Sequence, residues 1–93
     1  MKDTVKLLVE TNSPSGREDK IRQVILEQIR PFVDDYQIDA LGNLIAHKTG
    51  PGKKVLFDAH MDEIGFVATY IDENGFVKVE PIGGHNPLLM PSQ

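Results

Sequence analysis

The chain has 93 residues, 40% hydrophobic and 26% charged, so it is one small domain or part of a larger one, with little core to spare. A net charge of −4 and ten thinly spread basic residues, with Arg17, Lys20 and Arg22 diluted by Glu18 and Asp19, argue against nucleic-acid or anionic-membrane partners. Without cysteine there is neither a disulfide framework nor a thiolate metal site. Met1 leads into a charged segment and no apolar run approaches spanning length, so the expected location is the cytoplasm.

Lys2 to Thr11 predicts a short helix with Val5, Leu8 and Val9 on one stripe. The Asn12-Ser13-Pro14-Ser15-Gly16 run breaks it. Ser15 and Glu18 have capping-box spacing, so a second helix is expected to start there. Its apolar face is Ile21, Val24, Ile25 and Ile29, and Pro31 ends it.

Beyond Pro31 the period changes. Tyr36 and Ile38 alternate with polar neighbours as in a half-buried strand, Gly42-Asn43 turns the chain, and Leu44 to Ala46 begin another strand. Gly50-Pro51-Gly52 is a turn. Val55, Leu56 and Phe57 form a continuous apolar run, which predicts a strand covered on both faces. From Ile64 onward alternating apolar residues flank Asn74-Gly75, a hairpin pattern that Pro81-Ile82-Gly83-Gly84 closes. The shift to pure hairpin near residue 64 is the sole candidate domain boundary.

The residues with most chemistry are Asp58-Ala59-His60-Met61-Asp62-Glu63-Ile64-Gly65, a histidine among three carboxylates at the end of the apolar run. Imidazole and carboxylate are common ligands for zinc and related ions. Residues two apart in extended chain share a face, so Asp62 can take one ring nitrogen of His60 and fix its tautomer. On spacing alone a single His-x-Asp is weak, and a polar strand end is the simpler reading. Asp58 reads as a buried or capping carboxylate, Glu63 as structural, and His47 as solvent-facing. His85 has no assigned role. Ser13 and Ser15 lack the elbow and base of a nucleophile.

Taken together, three blocks of sequence are more specific. Asp-Ala-Leu-Gly-Asn-Leu-Ile-Ala from Asp39, Lys-Lys-Val-Leu-Phe-Asp-Ala-His-Met-Asp-Glu-Ile-Gly-Phe from Lys53, and Pro-Ile-Gly-Gly from Pro81 follow in order. The chain thereby resembles the N-terminal segment of the glutamyl (deblocking, tetrahedral) aminopeptidases, two-metal exopeptidases. The resemblance runs from the Ser13-Pro14-Ser15-Gly16 loop to Met90-Pro91-Ser92-Gln93. It implies an α/β fold in which 1–63 opens a mixed-sheet metallopeptidase catalytic domain, two helices then strands. Residues 64–93 would open an inserted β-rich dimerisation domain. It also implies that His60 is a metal ligand and that Asp62 braces it as part of the catalytic apparatus. Further implications are a pair of zinc, cobalt or manganese ions in the complete site, peptide substrates, and homo-oligomers formed through the β-rich domain.

The family's remaining ligands and its general base come from later sequence, so these 93 residues alone are expected to bind metal weakly or not at all and to be catalytically inert. The rival reading is a truncated, non-catalytic piece that acts in interaction or oligomerisation. A third, glycoside hydrolysis by the Asp58 and Asp62 pair, leaves the intervening histidine unexplained.

Overall fold

The structure, a computed structural model, describes residues 1–84. Two helices, α1 (Lys2–Glu10) and α2 (Asp19–Ile29), precede four strands, β1 (Asp35–Ile38), β2 (Leu44–His47), β3 (Gly65–Ile71) and β4 (Val77–Ile82). The strands form two separate antiparallel pairs, β1 with β2 and β3 with β4. This is the expected mixed α/β order. No described helix is long and apolar enough to cross a membrane.

Thr11 ends α1 by donating its hydroxyl to Leu7 O at 2.7 Å. The second helix starts later than Ser15 predicts. A turn closed by Arg17 N to Pro14 O at 2.9 Å occupies those residues, so Ser15 caps nothing. Glu18 instead reaches back to accept from Gly16 N at 2.8 Å. Along α2, Ile21 and Leu26 are the buried apolar residues, at 3% and 7% exposure. Leu26 was outside the expected face, whereas Val24, Ile25 and Ile29 are half-buried. The covered arc is therefore wider than a single stripe. After Ile29 a short 3-10 turn, Arg30–Phe32, absorbs Pro31.

Two turns of one design close the two hairpins. In the first, Asp39 Oδ1 accepts from Leu41 N at 3.0 Å and Asn43 N at 2.9 Å, and Asp39 Oδ2 accepts from Asn43 Nδ2 at 2.8 Å. In the second, Asp72 Oδ1 accepts from Asn74 N at 2.8 Å and Phe76 N at 3.0 Å. Each turn needs a left-handed residue at its fourth position, and glycine supplies it: Gly42 at φ +87° and Gly75 at φ +84°. Asn74-Gly75 thus ends a three-residue loop with a glycine bulge.

The β3–β4 ladder corrects the simple alternation read from sequence. Ala68 pairs with Val79 but Tyr70 pairs with Lys78, leaving Thr69 as a bulge. Cross-strand partners share a face, so the extra residue moves Ile71 to the side of Phe66 and Ala68. That side is apolar throughout, Phe66, Ala68 and Ile71 facing Pro81, Val79 and Val77. Val67, Tyr70, Lys78 and Glu80 lie on the other.

The expected doubly covered strand at Val55–Phe57 is not found. The segment forms no strand, and Leu56 and Phe57 are 88% and 92% exposed. No described strand lies beside it to complete a ladder. The Cα radius of gyration, 17.6 Å, exceeds the about 13 Å of a compact domain near this size. His85 and the Met90–Gln93 stretch lie outside the described residues.

The two glycine turns separate two costs. A Cβ on Gly75 would meet open space, so Gly75→Ala should cost about 1 kcal/mol from the left-handed backbone alone. A Cβ on Gly42 would come within 2.7 Å of Arg22 Nη2 and push away a guanidinium that holds Gly42 O. Gly42→Ala should therefore cost about 1 kcal/mol more, the worth of that bond. Amide hydrogen exchange across each turn would check the difference.

Candidate metal centre

The His60 segment is held by a clasp to the loop between the helices. Glu63 N donates to Ser13 O at 2.9 Å, and Ser13 N donates to Glu63 Oε1 at 3.1 Å. Pro14 and Glu63 form a parallel bridge at the same place, and Ser13 is buried. Glu63 is thus engaged in holding the segment in place.

Within this frame His60 Nδ1 lies 3.0 Å from Asp62 Oδ1 and 3.0 Å from Asp62 O. The carboxylate and the carbonyl are both acceptors, so Nδ1 carries the proton. The lone pair is then on Nε2, which makes no hydrogen bond to a described residue, and the side chain is 85% exposed. A neutral imidazole locked in this tautomer has the form a metal ion requires. Asp62 is half-buried beneath it.

The other candidates do not join them. Asp58, expected to be buried or capping, is exposed and makes no hydrogen bond to a described residue, because the run carrying it lacks neighbours. His47 stands on β2 with Nδ1 3.4 Å from Asp35 Oδ2, exposed as expected. Among the described residues no group of three or more histidines, cysteines or carboxylates could hold a metal ion. The donor set therefore fits one ligand and its orienting carboxylate. It does not close a site, since zinc ordinarily takes three protein ligands even where one position is open.

A shallow depression of about 150 Å³ adjoins the pair. Its walls are the Leu41–Asn43 turn, Glu18 at the start of α2, and His60 with Asp62. The contribution of the Asp39 turn to this site was not read from the sequence. The Asp-Ala-Leu-Gly-Asn block held the signal, since an aspartate three residues before a glycine fixes a turn, and that turn lines the depression with the histidine.

Residues 42–93 match the M42 glutamyl aminopeptidase family. A provisionally named aminopeptidase of Acetivibrio thermocellus is 48% identical over 84 residues, covering 90% of this chain and 26% of that protein. A crystal structure from Thermotoga maritima, described as an endoglucanase, has a TM-score of 0.78 at 44% identity, over 94% of this chain and 29% of that one. The structure of PhTET1-12s, a dodecamer, has a TM-score of 0.75 at 37% identity, over 92% and 26%. The chain belongs to the M42 glutamyl aminopeptidase family, a family of metal-dependent peptidases. It spans about a quarter of the length of the relatives it matches.

Hydrogen bonds from Asn43 hold the Asp39 carboxyl below its ordinary pKa. Because folding lowers that pKa, the turn's stabilisation is complete above the ordinary carboxylate value of about 3.9. It is lost as pH falls through the lower native value. An acid titration followed by the Leu41 and Asn43 amide resonances should show the turn opening below about pH 4. In Asp39→Asn the acid-dependent step should disappear.

Proposed function

We propose that this chain supplies the opening part of a metal-dependent aminopeptidase that removes N-terminal residues from peptides. The observation that carries the reading is the Asp62-locked His60, with Nδ1 held at 3.0 Å and Nε2 open. Membership of the M42 family supports the hydrolase class and metal dependence. His60 would hold one of two divalent ions, zinc, cobalt or manganese, with ligands from further sequence closing the site. Those ions, when bound, polarise the scissile carbonyl and acidify water. Asp62 acts on the ring of His60, fixing its tautomer and leaving Nε2 free to bind. Cytoplasmic location belongs to the same proposal.

Residues 1–63 are read as the start of the catalytic domain and 64–93 as the start of an inserted β-rich dimerisation domain. The self-contained β3–β4 ladder, which begins at Gly65, supports that division. The dodecameric assembly of PhTET1-12s supports a homo-oligomer. An interaction piece without catalysis is a second reading, favoured by the exposed apolar face of the hairpin. Glycoside hydrolysis is favoured by the endoglucanase description of the Thermotoga maritima structure. Against it, Asp58 is exposed and Asp62 is occupied with His60, whereas a glycosidase acid is kept protonated by its surroundings.

The test is peptide and cellulose hydrolysis by the full polypeptide carrying these residues, before and after chelation. Peptide hydrolysis should vanish on chelation and return with zinc or cobalt. His60→Ala should abolish it, and Asp62→Asn should lower it by about 10–100-fold. Peptide hydrolysis that survives both chelation and His60→Ala would refute the assignment. Cellulose cleavage indifferent to chelation would select the glycosidase. An assembled particle with neither activity would select the interaction piece.

A further inference from the structure

Arg22 links α2 to one wall of the candidate site without lining the depression itself. Its Nε donates to Gly42 O at 2.7 Å, and its Nη1 donates to Asp19 Oδ1 at 2.8 Å. The side chain is 15% exposed, although its partner Asp19 is almost fully solvated. Among the described residues this is the one hydrogen bond between α2 and the β1–β2 hairpin.

The turn it grips has its own internal support. Asp39 fixes Leu41 and Asn43 from inside, so the turn's shape does not depend on Arg22. Its position relative to α2 does. That position matters because Leu41 and Asn43 line the same depression as His60 and Asp62. The glycine serves the same end, since a side chain at residue 42 would displace the guanidinium.

We propose that Arg22 is a positioning residue of the aminopeptidase site, setting the distance between the Leu41–Asn43 turn and the His60–Asp62 segment. This rests on the peptidase reading above. A planar guanidinium can hold Gly42 O and Asp19 at once with fixed geometry, which a lysine ammonium on a flexible stem cannot reproduce. Lysine still preserves the charge and most of the stem.

Arg22→Ala and Arg22→Lys in the full polypeptide provide the test, read by the distance between spin labels at Ala40 and Ala59 and, in unlabelled chains, by steady-state peptide hydrolysis. In Arg22→Ala that distance should broaden, while amide exchange at residues 39–43 stays as in the parent because Asp39 holds the turn from inside. The value of kcat/KM should fall about tenfold, the loss expected for one charge-assisted hydrogen bond, with metal content unchanged. Arg22→Lys should recover part of both effects, and it carries the test if the alanine variant fails to fold. The proposal is overturned if both variants keep the parent's label distance, or if kcat/KM is unchanged from that of an active parent. An inactive parent would overturn the peptidase reading instead, and the label distance would still decide whether Arg22 positions the turn.

Discussion

The clasp between Ser13 and Glu63 joins residues fifty apart, and it gives the candidate site a definite place. Both of its hydrogen bonds involve backbone groups of Ser13, which is buried and lacks water to satisfy them. Breaking the clasp leaves those groups unpaired, a cost of about 1–3 kcal/mol each. The segment from Lys53 to Asp62 has no ladder of its own among the described residues, so this contact orders its end. Through it the helical layer, the Asp39 turn and His60 come to share one depression.

The sequence made the helices and hairpins readable because their causes are local. Apolar spacing, an early proline and an Asn-Gly pair each act within a few residues. His60 and Asp62 were readable for the same reason, being two apart. The misreadings came from longer-range effects. Val55 to Phe57 predicts a covered strand, but coverage requires neighbours that no described strand supplies. Asp58 is exposed for the same reason. Ser15 and Glu18 have the spacing of a cap, yet the Pro14–Arg17 turn claims that stretch first.

The Thr69 bulge shows why strand periodicity alone misleads. In sequence, apolar residues fall on both sides of β3 and no amphipathic pattern stands out. The bulge moves Ile71 across, so that Phe66, Ala68 and Ile71 pair with Pro81, Val79 and Val77, while Val67 and Tyr70 stay with Glu80 and Lys78. The division is a property of the pairing.

The two aspartate turns also bear on the order in which the chain takes shape. Each turn spans five residues from its aspartate, and its carboxylate, glycine and backbone bonds all lie within that span. Such hairpins form on the microsecond scale and need nothing from the remainder of the chain. The clasp has to gather fifty residues, a larger loss of chain entropy and a contact of high sequence separation. In the folding chain, the turn beside His60 can therefore be standing before the clasp has brought His60 to it.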